Sequence, residues 1–194
     1  MSEKVMLDLY NRRTLAQSLN CDRFQKGVEI GVRLGWYSKY LLDSTEMQID
    51  CIDPWEVNAE LKDAEYAYNF CANLLQPYID DGRCRMIKAY SPQISAYYED
   101  GSLDFVYIDG LHDYESVKAD LEAWAPKLKK GRLLCGHDYN PKKWPGVVQA
   151  VDEFCATHNL QQALTGIVGN ARASRTGEID EFDGNEQSFI IFTP

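Results

Sequence analysis

The sequence predicts an α/β fold: a mainly parallel sheet with helices on both faces, ending in an antiparallel hairpin. Three observations predict it. Short apolar runs alternate five times with segments whose apolar residues recur at helical spacing. The run LDFVYID, residues 103–109, is apolar enough to be buried on both faces, as the strands of parallel sheets are. The last quarter holds two more strand-like runs with no helical pattern between them, so those two would pair antiparallel.

Taken in order, GVEIG (27–31) is a short strand closed by glycine, and Trp36 to Leu42 a helix with Tyr37, Tyr40 and Leu41 on one face. MQIDCID (47–53) is a second strand ending in Asp53-Pro54. Glu56 to Tyr78 carries Leu61, Ala64, Tyr68, Cys71 and Leu75 at helical spacing, with Pro77 marking its end. CRMIKA (84–89) reads as the third strand and Ile94 to Tyr98 as a short helix. After the fourth strand, 103–109, a stripe of Tyr114, Val117, Leu121, Trp124 and Leu128 forms a helix. Gly131 precedes RLLCG, the fifth strand, which runs into His137-Asp138. Pro145, after Trp144, suits the first position of a helix carrying Val147, Val151, Phe154 and Cys155. QALTGIV (162–168) and SFIIF (188–192) are the closing strands. The 194 residues fit one domain: a helical segment over 1–24, a core over 25–168, a polar loop over 169–187 and a last strand over 188–194.

The net charge of −10 disfavours a nucleic-acid partner, because phosphate binding needs a basic surface. The basic cluster Lys127 to Arg132 reads as a helix C-terminus complementing the helix dipole. No apolar run approaches the ~18 residues of a membrane span. The N-terminal stretch lacks a signal-peptide core, and the six cysteines show no CxxC pair or zinc-type spacing. A cytoplasmic protein with reduced cysteines is expected.

In such a sheet, ligands bind beyond the carboxyl ends of the strands, so the residues that follow each strand are the ones to inspect. After the first strand comes Glu29-Ile-Gly31-Val-Arg-Leu-Gly35. Gly31 permits a tight turn, and Gly35 permits backbone to approach a ligand. Asp53 follows Gly31 by about 20 residues, the spacing of a ribose-hydroxyl ligand. Arg33 stands where the dinucleotide fingerprint has its second glycine, so the phosphate cradle is incomplete. A cofactor without phosphate and with a cationic amino-acid end tolerates this and favours a nearby Glu29. S-adenosylmethionine fits that description. Methyl transfer to a hydroxyl needs a general base, or a cation that lowers the hydroxyl pKa. Asp109 and His112 after the fourth strand, and His137 and Asp138 after the fifth, supply both ingredients. Asp113 reads as the cap of the helix that starts at Tyr114, and His158 as a surface residue at a helix end. Trp55 is left open between adenine cover and core.

The blocks GVEIGVRLGWYSKYLL, CIDPW, LDFVYIDGLHDYESVKADLEAWAPKLKKGRLLCGHDY and PGVVQAVDEF resemble the class I S-adenosylmethionine-dependent methyltransferases. The likeness is strongest to the branch of metal-dependent sugar and macrolide O-methyltransferases and cephalosporin-hydroxylase-like proteins. The resemblance implies a Rossmann-like seven-stranded sheet with its last strand antiparallel. It implies Glu29, Gly31 and Gly35 at the methionine end, Asp53 on the ribose and Ser91 near the adenine. It also implies Asp109 as both cofactor-end residue and metal ligand, and His112 as base. That branch has an adjacent acidic pair after the fifth strand. Here the pair reads His137-Asp138, so Asp138 carries over, and Mg²⁺, a softer divalent cation or no metal all stay open. A small-molecule hydroxyl, such as one on a sugar, is the implied acceptor, and relatives of this kind assemble into homo-oligomers. A nucleotide-dependent oxidoreductase and a catalytically silent binding module on the same fold are the rival readings. Acceptor contacts are expected from Met1 to Asn20, from Asn140 to Trp144 and from Gly169 to Gln187.

Overall fold

The structure, a computed structural model, describes residues 11–20, 24–57, 63–165 and 187–193. Its sheet has seven strands in the order β3-β2-β1-β4-β5-β7-β6. These are β1 (Lys26–Ile30), β2 (Gln48–Asp53), β3 (Cys84–Lys88), β4 (Leu103–Ile108), β5 (Leu128–Gly136), β6 (Gln162–Leu164) and β7 (Phe189–Phe192). The first five run parallel. β7 is antiparallel to both β5 and β6, as expected for the terminal pair. Residues 166–168 of the expected sixth strand and nearly all of the polar loop lie outside the described residues.

Alternation along each strand sends side chains to two cores. On one face Ile49, Cys51, Phe105, Tyr107, Cys135 and Ile190 meet α1 (Arg12–Ser18), α2 (Trp36–Ser44) and α3 (Ala64–Asp80). On the other Val28, Ile52, Val106, Ile108, Leu134 and Ile191 meet α5 (Tyr114–Trp124) and α6 (Pro145–His158). A short α4 (Ser91–Ile94) and a 3₁₀ turn (Ser95–Tyr97) replace the helix expected over 94–98, starting three residues earlier with a proline in the first turn. No helix among the described residues is long and apolar enough to cross a membrane.

Two expectations are corrected. Pro77 does not end its helix. α3 continues to Asp80, because a proline in the last turn removes one hydrogen bond without forbidding the turn. The stop is Gly82, at φ +75°, where Gly82 N–H donates to Ile79 and Arg83 N–H to Tyr78, the paired bonds of a Schellman cap. Of the cations of 127–132, Lys127 does end a short 3₁₀ turn (Ala125–Lys127) and meets Asp100, but Lys129 and Arg132 serve the sheet. β5 begins at Leu128, and Lys129 Nζ and Arg132 Nε lie 2.9 and 3.0 Å from Asp104 Oδ1. The other oxygen of Asp104 accepts the backbone N–H groups of Gln25 and Lys26. Asp104 is 1% exposed, so this buried carboxylate ties the starts of β1, β4 and β5 together.

Strand order reverses between β1 and β4, so their carboxyl ends open the crevice where this fold binds ligands. Gly136 closes the same edge one strand further on. A Cβ there would lie 2.4 Å from the Phe189 ring and 2.5 Å from the Ile108 carbonyl oxygen. Gly136→Ala is therefore expected to lose about 1–3 kcal/mol by overpacking. Gly131→Ala, with nothing within 4 Å of its Cβ, loses only the roughly 1–2 kcal/mol of its positive φ. Urea denaturation of the two variants checks the order.

Candidate functional site

The three strand ends nearest the crevice continue the ladder into their loops. Gly31 N–H donates to Ile52, Asp109 N–H to Ile30 and His137 N–H to Ile108, at 2.8–3.0 Å. Asp109 and His137 are thus fixed in backbone before any side chain is considered. Gly31, at φ +83°, passes so close to the next strand that a Cβ would sit 2.0 Å from the Asp109 carbonyl oxygen.

Asp53 joins the first two loops. Its Oδ2 accepts the N–H of Arg33 at 2.9 Å and its Oδ1 that of Trp55 at 2.6 Å, while the Trp55 indole donates to the Arg33 carbonyl. The Val32 N–H adds a third backbone bond to the same carboxylate. Arg33 and Trp55 both hold positive φ, at 52° and 41°, within this stitched turn. Trp55 is 1% exposed and belongs to the core. Gly35 packs against α3, since a Cβ would meet Cys71 Sγ at 2.7 Å.

Glu29 lies deeper than a ligand contact at the site surface would. It is 2% exposed and accepts a hydrogen bond from the Ser38 hydroxyl. Burial pushes its carboxyl up to about 8, with the Ser38 bond opposing. Above it, α1 delivers Arg12, 8% exposed, whose Nη1 lies 3.2 Å from Asp109 Oδ2. The Arg12 guanidinium lies over the Tyr37 ring, and the Tyr37 hydroxyl donates to the Arg12 carbonyl. An Asn11–Thr14 capping box starts that helix and fixes where Arg12 points.

Asp109, His112, His137 and Asp138 do converge. His112 Nε2 lies 2.8 Å from Asp138 Oδ2. His137 Nδ1 lies 3.3 Å from the same oxygen and 3.8 Å from Asp109 Oδ1. Burial pushes the Asp109 carboxyl up, against the pull of His137 and Arg12. Burial also raises Asp138, but its two imidazole contacts outweigh it and hold this carboxyl well below the usual range. Asp138 adopts φ +58°, a left-handed turn that aspartate tolerates better than most residues. One donor atom each from Asp109, His137 and Asp138 lies within 4.8 Å of the others, a spacing that can hold a metal ion. A cavity of about 10 Å³, room for a single water, lies among Asp109, His112, His137, Val147 and Phe189.

The remaining residues divide by role. Asp113 caps α5 through Ser116 N–H, as read from the sequence. Ser91, the first residue of α4 after β3, donates to Asp120 Oδ1 at 2.6 Å and accepts from the Trp124 indole at 2.8 Å, so its hydroxyl is bound into α5. His158 packs on Phe154 at a helix end, away from the cluster. The sequence points to the segments Met1–Asn20 and Asn140–Trp144 for acceptor contacts but does not single out Arg12 or Trp144 within them. The Trp144 ring stacks 4.2 Å from that of His112.

The match to a family profile described as a methyltransferase domain spans residues 28–139. Solved structures share the fold at low identity. A proposed caffeoyl-CoA O-methyltransferase from Staphylococcus aureus aligns at TM-score 0.62 and 15% identity, over 99% of this chain and 85% of its own. The N-methyltransferase NodS from Bradyrhizobium japonicum gives 0.60 and 13%, over 94% of each chain. A proposed rRNA methylase from Clostridium thermocellum gives 0.65 and 13%, over 94% and 95%. A stretch of 40 residues is 48% identical to the uncharacterized protein y4gI of Sinorhizobium fredii (strain NBRC 101917 / NGR234). That stretch is 21% of this chain and 4% of that protein, so the chain spans only a small part of this relative. Sheet order, crevice and strand-end acids define a class I methyltransferase fold. The chain belongs to the methyltransferase-domain family, whose cofactor is S-adenosylmethionine.

The buried Glu29 has a readable consequence. Its folded carboxyl binds a proton that the unfolded chain has already released, so its contribution is fully present below pH ~4.5 and is lost as pH rises through about 8. The swing is on the order of 5 kcal/mol. Glu29→Gln is expected to flatten the fall in stability between pH 5 and 8 and to be the more stable protein at pH 9. Denaturant midpoints across that range check it, and an unchanged slope sinks the assignment.

Proposed function

We propose that this protein is an S-adenosylmethionine-dependent O-methyltransferase acting on a hydroxyl of a small molecule, a sugar being the leading class. The observation that carries the reading is the meeting of His112 Nε2 with Asp138 Oδ2 at 2.8 Å, beside Asp109, at the carboxyl edge of the sheet. S-adenosylmethionine would supply the methyl group, which a hydroxyl oxygen would take as the carbon–sulfur bond breaks and S-adenosylhomocysteine is released. The hydroxyl proton passes to the His112 imidazole, and Asp138 opposes the positive charge that forms there. In this reading Asp109, next to Arg12, would face the methionine end of the cofactor and Asp53 its ribose. The net charge of −10 supports a small acceptor over a nucleic-acid one.

The donors also fit a divalent cation. Asp109 Oδ1, Asp138 and the imidazole of His137 would hold it, while the Arg12 guanidinium already faces Asp109 Oδ2. A nitrogen donor among two carboxylates favours a borderline ion over Mg²⁺. When bound, such an ion would lower the pKa of the acceptor hydroxyl.

The test is a screen of sugar and phenolic hydroxyl compounds with S-adenosylmethionine, following S-adenosylhomocysteine release with and without prior chelation. His112→Ala is expected to lose about 10²- to 10⁴-fold in turnover while its affinity for S-adenosylhomocysteine holds. Turnover at the wild-type level would remove His112 from the role.

A further inference from the structure

Trp144 is the last residue before α6 and carries no part of the chemistry above. Its indole and the His112 imidazole stack with centroids 4.2 Å apart and planes tilted by 32°. The Trp144 Nε1 is buried with no hydrogen-bond partner among the described residues. A phenylalanine or leucine would fill core space without stranding a donor, so packing alone does not account for a tryptophan here. The Lys143 amine lies 5.2 Å from the centroid of the same ring.

The backbone leaves no slack between the two rings. At Gly146, inside the first turn of α6, a Cβ would lie 2.7 Å from the Tyr114 nitrogen and 3.0 Å from the His112 carbonyl oxygen. The start of α6 is therefore pressed against the loop that carries His112. Trp144 reaches the imidazole from that helix, while Asp138 reaches its Nε2 from the end of β5. Two independent elements thus bound the ring: a carboxylate at one edge and an indole on one face.

We infer that Trp144 is a positioning residue for His112, setting the plane of the imidazole so that its proton-accepting nitrogen is aimed at the acceptor hydroxyl. The functional half of this inference rests on His112 being the base. The geometric half does not. General-base transfer is sensitive to orientation, because the accepting lone pair must lie along the O–H direction. An indole against the ring face restricts rotation of the imidazole out of that plane.

The chain has three histidines, so their ring protons are separable by NMR in the full-length protein. An indole at 4.2 Å displaces the His112 ring protons by its ring current. Trp144→Leu is expected to move the His112 resonances while leaving those of His158, which pack on Phe154, in place. Trp144→Phe, which keeps an aromatic face, should retain much of the displacement and guards against a leucine variant that fails to fold. His112 resonances identical in wild type and Trp144→Leu would overturn the stacking. On the acceptor giving the fastest S-adenosylhomocysteine release, Trp144→Leu should lower kcat by about 10- to 100-fold at unchanged KM for S-adenosylmethionine, with Trp144→Phe between. A leucine variant that moves the resonances but turns over like wild type overturns the positioning role. If His112→Ala itself keeps full turnover, the base reading falls instead, and the resonance shifts separate that failure from this one.

Discussion

Residue 31 has no room for a side chain. The place a Cβ would occupy lies 2.0 Å from the Asp109 carbonyl oxygen, at a backbone angle that favours glycine in any case. This contact sits where the strand order reverses, so it sets how closely the ends of β1 and β4 approach and therefore how the crevice is shaped. Asp109 N–H bonds Ile30, His137 N–H bonds Ile108, and the site residues of β4 and β5 inherit their positions from that one close passage. A ligand entering beyond the strand ends meets a rim that is already rigid.

Charge at the rim follows from the same crowding. Asp109 and Asp138 stand on adjacent strands and would repel if nothing intervened. Around them the chain has set Arg12, His112 and His137, two of them within reach of one Asp138 oxygen. The acidic pair expected from the resemblance would have added a third carboxylate. His137 in that place removes one negative charge and adds a nitrogen donor, and Arg12 brings a permanent cation to Asp109. The cluster thus holds its carboxylates with side chains of its own. Glu29, sealed beneath with a raised carboxyl, adds no charge to it at neutral pH.

Much of this was legible in the chain itself. Apolar runs locate the described strands to within a few residues, most directly at β4, where burial on both faces writes a continuous apolar run. Asp109, His112, His137 and Asp138 are visible because a parallel sheet brings residues after neighbouring strands together. Arg12 was not visible, since nothing in NRRT says that one of its two arginines enters the crevice; α1 must dock first. Trp144 was hidden by a sound local reading, a tryptophan before an N1 proline. The basic run 127–132 misled in part: lysines near a glycine suit a helix end, as Lys127 does, and only the buried Asp104 on the neighbouring strand shows what Lys129 and Arg132 neutralise.

Asp138 shows how these constraints combine in one residue. The turn after β5 requires φ +58° there, which excludes bulky and β-branched side chains but admits aspartate. The same turn aims its carboxylate at both imidazoles, and their contacts hold it ionised against its burial. The surroundings of the His112 ring therefore trace back to a backbone angle on the neighbouring strand end: the turn sets the carboxylate, the carboxylate lies at the imidazole edge, and the indole of Trp144 lies against its face. None of the three would orient the ring alone.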